Sequence, residues 1–395
     1  MTNETASLDR ADVATESEAT DDVETLTVLT VPDYRDSNPY QAALTDALEA
    51  QGVDARTATG PGYLFPLTRL TLREGVPDVL HLHFFSPYMI VGDERLRRLR
   101  LVTPVTFALG VMVLLELLVL RLRGVATVWT IHDLVNHERR AVRAEVAVKH
   151  VAARYLFDTL VVHCVAAGEE FRRRFDLPPE TAEKFAVVPH GHFRDAYPDE
   201  VDTATARDRL DVDADGPVYL FFGWIRPYKN VPRLIRHFER IENPDARLLV
   251  VGSVRSEELE QRVRALAADD DRVRTVLEFV PDDEVQLYMN AADVVVLPFR
   301  TDEASMLTSG SVLLAMGFEN AVVAPDIGCI GAVLDTAGGV CYDADADDQP
   351  LAGMRALADA DLDAMGTHNR RTVEGFRWDE IARRTRRLYA EVSES

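Results

Sequence analysis

Apolar runs of four to seven residues, rich in Val, Leu and Ile and without polar alternation, recur along this chain between longer amphipathic stretches. A strand that keeps one face in water alternates. A run that does not alternate is covered on both faces, as parallel strands are when helices flank them. In the first half the runs are 25–31, 78–84, 126–131, 159–164 and 185–188, with helix-length segments such as 39–51 and 138–157 between them. A polar stretch, 195–215, has no apolar period and reads as a linker. The pattern then restarts with strands at 218–222, 247–251, 273–279, 293–297, 321–324 and 339–342, and helices at 231–241, 256–268 and 311–317. Segment 378–392 closes the chain as an amphipathic helix, with Ile381, Leu388, Tyr389 and Val392 among arginines. The alternation predicts two doubly wound, Rossmann-like α/β domains facing a cleft.

The length, 395 residues, suits two domains. Acidic residues outnumber basic ones 66 to 43, for a formal net charge of -23. Such a surface repels phosphates and argues against a general nucleic-acid binder. Three basic residues are lysine (Lys149, Lys184, Lys229) and the rest arginine. Acid excess with scarce lysine reads as a halophilic surface, that of a salt-loving archaeon; a GC-rich genome explains the arginine but not the acid. Cys164, Cys329 and Cys341 form no paired spacing, so neither a zinc site nor a disulfide framework is expected, and a reducing cytoplasm is the default. Residues 1–24 are acidic and lack a basic-then-apolar leader pattern; they read as a solvated tail.

Segment 102–120 carries one charge, Glu116, and lies between Arg95, Arg97, Arg98 and Arg100 on one side and Arg121 and Arg123 on the other. Three readings compete: a buried helix, a membrane span and a helix lying in the membrane interface. A single span would place strands 78–84 and 126–131 of one domain on opposite sides of a bilayer, which excludes it. The arginine collars favour a partly exposed helix against anionic headgroups, at the cytoplasmic membrane face.

Chemistry concentrates where strands end. After strand 218–222 comes Gly223-Trp224-Ile225-Arg226-Pro227-Tyr228-Lys229-Asn230. Glycine lets the backbone approach a ligand, and Arg226 and Lys229 supply charge for a diphosphate. Ordinary loop solvation is the plain alternative. Thr308, Ser309, Gly310 and Ser311 open an apolar helix, which suits either an anion site or a simple N-cap. His132 closes strand 126–131 with Asp133 beside it, placed to touch a sugar hydroxyl or to move a proton. His81 and His83 share one strand face without an evident third metal ligand. His190 and His192 flank Gly191. Tyr34, in the loop after the first strand, faces the same cleft.

In order and spacing, Gly223…Lys229, Phe279-Val280-Pro281, Asp293–Pro298 and 308–324 resemble the donor half of family-four GT-B glycosyltransferases. Thr130-Ile131-His132-Asp133 and Val188-Pro189-His190-Gly191 resemble segments of the acceptor half, and Phe376–Ile381 the final helix that crosses back. The likeness covers most of 25–392. It implies an N-terminal acceptor domain over 25–200, a nucleotide-sugar domain over 201–375 and a returning helix over 376–395. It further implies transfer of a sugar from a UDP- or GDP-sugar to an acceptor hydroxyl, with retention and without a metal or other cofactor. The acceptor would be a lipid-linked or surface glycan. Gly223, Val280, Glu303 and 308–311 would bind the donor; His132, Asp133, Arg226 and Lys229 would carry the chemistry; Tyr34, His190 and Gly191 would lie on the acceptor or sugar side. The paired glutamates of that family would fall at Met306 and Leu314, neither acidic here. Two alternatives follow from that departure: a silent subunit that binds nucleotide sugar, and a GT-B epimerase.

Overall fold

The computed structural model describes residues 25–394 apart from 37, 61, 94, 96, 97, 99, 137, 138 and 301–307. The acidic stretch 1–24, Glu303 and Met306 lie outside these. The first half runs β1 (Thr27–Val31), α1 (Pro39–Glu49), β2 (Asp54–Thr57), α2 (Pro66–Glu74), β3 (Val79–Leu82), α3 (Val102–Leu122), β4 (Ala126–Thr130), α4 (Val142–Val151), β5 (Thr159–Val162), α5 (Val165–Arg174) and β6 (Phe185–Val187). The second half runs α6 (Thr203–Arg209), β7 (Val218–Phe222), α7 (Val231–Phe238), β8 (Arg247–Val251), α8 (Glu257–Ala267), β9 (Val273–Val276), α9 (Val285–Ala291), β10 (Val294–Val296), α10 (Gly310–Gly317) and β11 (Ala321–Pro325). It ends with α11 (Ile330–Val333), β12 (Gly339–Tyr342), α12 (Leu351–Ala356), α13 (Leu362–Val373) and α14 (Trp378–Ser393).

Two six-stranded parallel sheets result, in the orders β2-β1-β3-β4-β5-β6 and β12-β11-β10-β7-β8-β9. The strand order reverses at β1/β3 in the first and at β7/β10 in the second. Loops diverge there beyond the carboxyl ends of the strands, which is where open α/β sheets bind ligands. The Val and Leu runs are buried on both faces, as their lack of alternation requires. α14 returns to the first sheet: Ile381, Ala382 and Tyr389 are buried against Tyr40, Leu44 and Leu48 of α1. Each such fully buried large side chain contributes about 1.5–3 kcal/mol relative to exposure.

Some elements differ from the sequence expectation. β2 is a polar edge strand with only Ala55 buried, so it gave no apolar run. The supposed linker 195–215 holds α6, whose Asp202 caps it by accepting from Thr205 N at 2.7 Å. The helix expected over 138–157 is α4, continued by a π turn at Ala152–Leu156. The largest correction concerns the cysteines. Cys164 and Cys329 form a disulfide across 165 residues of sequence, and Cys341 is left as a free thiol. Spacing in the chain carries no trace of a pair that tertiary structure brings together.

α3 is neither enclosed nor free. About a third of its most apolar stretch is buried. Its inner face packs on α2 and α4. Its outer face presents Phe107, Val111, Leu115, Leu118, Val119 and Leu122, at three- and four-residue spacing. Tyr63, Leu64 and Phe65 extend the apolar surface, held against the helix by Phe65 N–H on Met112 Sδ at 3.3 Å. The one acidic residue of the helix points inward. Glu116 Oε1 accepts from Thr68 N at 2.8 Å in the first turn of α2, and burial pushes its pKa up.

Candidate active site in the cleft between the domains

β7 is followed directly by Gly223, with φ +112°, and the neighbouring β8 by Gly252, with φ +137°. A Cβ on Gly252 would lie 2.1 Å from the Gly223 carbonyl oxygen, so the two strand ends nest as closely as bare backbone allows. Past this point the chains stay side by side, with a parallel bridge from Ile225 to Val254. Each strand end then delivers an arginine three residues after its glycine, Arg226 and Arg255. A short 3₁₀ turn, Pro227–Lys229, leads into α7.

Two clefts lie on either side of this loop. The larger, about 770 Å³, is lined by Gly223, Trp224, Lys229, Val280, Gly310, Ser311, Leu314 and Trp378, with Asn38 and Asp46 from α1 and its cap. The second, about 700 Å³, is lined by Tyr34, His83, Phe84, Trp129, His132, Asp133, Asn136, Arg139, Arg226, Tyr228 and Arg255. Loop 223–230 thus brings Lys229 to one cleft and Arg226 to the other.

Lys229 is buried, its Nζ 5.8 Å from the Phe221 ring and 5.6 Å from the Phe299 ring. Burial first, and repulsion from Arg226 second, lower its pKa to about 8. The group is therefore charged below about pH 8 and neutral above it. An incoming diphosphate favours the charged form. Donor kcat/KM, which reports the free enzyme, is expected to fall as pH rises through about 8, while kcat falls later. A donor pH profile checks this; a flat kcat/KM from pH 7 to 9.5 would contradict a role for the ammonium.

At the opposite wall, Ser309 is the N-cap of α10 but its side chain makes no capping bond. The plain N-cap alternative is therefore not what the hydroxyl does. The N–H groups at Gly310 and Ser311 border the larger cleft. Gly310 is required for packing, since a Cβ there would meet the Phe193 ring at 2.6 Å.

Adjacent strand ends also gather the histidines. His81 and His83 from β3, His132 after β4, His163 after β5 and His190 after β6 surround the ring of Tyr40 or one another. His81 is engaged on both sides, 2.5 Å from Tyr389 Oη and 2.7 Å from Thr130 Oγ1, so it ties α14 to the sheet. His132 Nε2 lies 3.1 Å from His83 Nδ1, and its ring stacks on Phe84. Burial, and then repulsion among the rings, holds His132 and His83 well below the usual histidine range. By the same causes His190 falls to about 3, and burial takes His163 to about 4. His132 is thus a neutral imidazole at working pH, a hydrogen-bonding group rather than a cation. Among the described residues no cluster of three or more His, Cys, Asp or Glu is arranged to hold a metal.

The remaining sequence candidates separate. Thr308, Ser309 and His190 line a third, water-sized void of about 10 Å³ with His163 and Cys329. Gly191 is a packing position: a Cβ would sit 2.5 Å from the Trp378 ring. His192 accepts through its carbonyl from Trp378 Nε1 at 2.7 Å. Leu314, where the family's second glutamate would fall, lines the larger cleft with an apolar side chain. Sequence reading missed Trp129, Asn136, Arg139, Arg255 and Trp378. The repeated Gly-x-x-Arg after β7 and β8 was the available signal for Arg255. Lys149 is structural, paired with buried Glu145 at 2.8 Å and bonded to Leu134 O at 3.0 Å beneath the second cleft.

Residues 216–359 match the family described as glycosyl transferases group 1. This stretch, within the second domain, is similar to group 1 glycosyltransferases, and the two facing α/β domains have the GT-B fold. Among curated proteins it is similar to the GDP-mannose:glycolipid 4-beta-D-mannosyltransferase of Xanthomonas campestris pv. campestris, 28% identical over 80% of this chain and 79% of that one. It is also similar to D-inositol 3-phosphate glycosyltransferase of Kineococcus radiotolerans, 30% identical over 56% of this chain and 54% of that one. Among solved structures, sucrose-phosphate synthase from Thermosynechococcus elongatus superposes with a TM-score of 0.69 at 17% identity, covering 93% of this chain and 99% of that one. Anabaena HepE in complex with UDP gives 0.66 at 14% identity, covering 93% and 100%. At such identities the structures establish the fold, two facing Rossmann-like domains, and the enzyme shares it.

Proposed function

We propose that the enzyme transfers a hexosyl unit from a UDP- or GDP-sugar in the larger cleft to a hydroxyl of a lipid-linked glycan entering the second. The observation that carries this is loop 223–230, which joins the two clefts and presents Lys229 to one and Arg226 to the other. As the anomeric bond breaks, negative charge grows on the departing diphosphate. Lys229 and the N–H groups at Gly310 and Ser311 oppose that charge without waiting for water to reorganise, and Arg226 adds its field from the second cleft. These groups stand where a metal would otherwise serve, so no metal enters the proposal. His132 orients the sugar as a neutral hydrogen-bonding group. The relative that acts on GDP-mannose and a glycolipid supports both the donor class and the acceptor class.

The stereochemical course we assign first is retention, with the donor phosphate taking the acceptor proton. Inversion is a second reading, favoured by Asp133, a carboxylate in the acceptor cleft able to act as base, and by the beta linkage in the name of the Xanthomonas relative. The anomeric configuration of the product, read by NMR, separates the two. Product of either configuration in the lipid phase supports the transfer; sugar released only to water overturns the acceptor assignment.

We further propose that the enzyme works at the cytoplasmic membrane face, a reading the exposed apolar side of α3 supports. An apolar stripe between Arg123 at one end and Arg100 at the other suits the interface of an anionic bilayer, on a chain whose net charge is otherwise strongly negative, while Arg121 is held by Asp158 at 2.9 Å. The acid excess of the chain supports work in molar salt as part of the same proposal. Leu115→Asp with Leu118→Asp is expected to move most of the protein from sedimented phosphatidylglycerol vesicles to the supernatant while leaving the fold intact by circular dichroism. Wild-type protein that stays in the supernatant would refute membrane docking.

A further inference from the structure

The disulfide joins the two domains, not two parts of one. Cys164 closes β5 of the first sheet and is the N-cap of α5, its Sγ accepting from Ala167 N at 3.4 Å. Cys329 sits in the turn between β11 and α11 of the second sheet, yet packs into the apolar cluster of the first domain. Their Cα atoms are 5.6 Å apart. Cys329 also borders the water-sized void lined by His163, Ser309 and Thr308, so the bond closes the seam at the start of α10, beside the N–H groups assigned to the donor. Apart from this bond the domains are connected covalently only through the chain that passes between them. A nucleotide held in such a cleft enters and leaves as the two halves part, and a covalent tie at the seam restrains that motion.

We infer that Cys164 and Cys329 are a thiol–disulfide exchange site, served by a dithiol reductant, that sets how freely the cleft opens. The exchange balances as follows. A thiolate of the dithiol attacks the Cys329 sulfur, and the S–S bond breaks with Cys164 leaving as thiolate. The α5 N-terminus and the Ala167 N–H stabilise that leaving group, which makes Cys164 the better one. The second thiol of the dithiol then attacks the mixed disulfide and frees Cys329. Two electrons and two protons pass to the protein, and the reductant becomes a cyclic disulfide. Both protein sulfurs are buried, so attack proceeds from the opened state, and bound nucleotide slows it. Cys341 lies elsewhere, and burial pushes its pKa up to about 11, which keeps it out of the exchange.

The test uses the full chain, oxidised by glutathione disulfide or reduced by dithiothreitol. Maleimide mass labelling after denaturation should count one free thiol in the oxidised protein and three in the reduced. Dissociation of a fluorescent GDP or UDP should be roughly tenfold or more faster after reduction, as expected when opening limits release. Cys164→Ser and Cys329→Ser should show the fast rate with or without dithiothreitol, and small-angle scattering should report a larger radius of gyration on reduction. Three thiols under oxidant, or equal radii and release rates in the two states, would overturn the inference. It rests on the proposed nucleotide site only for the release readout. If neither nucleotide binds, that reading fails, while thiol count and scattering still decide the pair.

Discussion

Lys229→Ala is expected to lower kcat by about two to three orders of magnitude, the range seen when one preorganised charge-stabilising donor is removed from an active site. Several features of its placement make the loss large. The ammonium is buried between Phe221 and Phe299, so water cannot take its place cheaply. A Cβ on Gly223 would lie 3.4 Å from its Nζ, which puts the charge at the strand end, on the side of the proposed diphosphate site. Arg226 adjoins the other cleft and does not fill the same space. Lys229→Met keeps the length and apolar stem and should lose nearly as much, which separates charge from packing. Steady-state kinetics with saturating donor checks both, and a fall of less than about threefold would remove Lys229 from the mechanism.

The second large effect is structural. Gly252→Ala places a Cβ 2.1 Å from the Gly223 carbonyl oxygen, and does so at φ +137°, where an L side chain is strained even in open space. The Cβ meets backbone, so no rotamer change relieves the contact. The cost expected is about 3–5 kcal/mol, shared between a lower Tm and a displaced 223–230 loop. Thermal unfolding followed beside donor binding should show both losses together. Gly62→Ala is the control, since φ there is also positive but nothing lies within 4 Å of the added Cβ. Equal effects of the two substitutions would mean that the close approach of the strand ends is unimportant.

The sheets were legible because parallel strands covered on both faces must be apolar throughout, and β7, β8, β10 and β11 are. β2 was not, because an edge strand with one buried residue carries no such signature. α6 hid in a polar stretch: Ala206 is its one buried residue, and its stability comes from the Asp202 cap and from the arms it lends, such as Arg207 on Asp293 at 2.8 Å. Glu116, the one charge within 102–120, is an internal partner for α2. Reading along the chain weighed each histidine alone. The order β3-β4-β5-β6 turns five of them into neighbours, a property of topology that no local window holds. The disulfide was invisible for the same reason.

The proposed site divides similarly. Gly223 and Lys229 announced themselves as a glycine and a rare lysine at a strand end, while Arg255 follows a second glycine that drew no notice. Leu314 leaves the larger cleft, the proposed donor site, without the carboxylate that the resemblance leads one to expect. Glu303 lies among the residues not described, so its part rests on experiment.

The most direct measurement is release of free nucleoside diphosphate from a panel of UDP- and GDP-sugars, in molar salt, with a chelator present, with and without native membranes. The account predicts release from one donor, dependent on membranes, undiminished by the chelator and absent in Lys229→Ala. Tight nucleotide binding with no release from any donor would contradict it and leave a silent sugar-nucleotide binder; turnover of the sugar nucleotide without any acceptor would point to an epimerase.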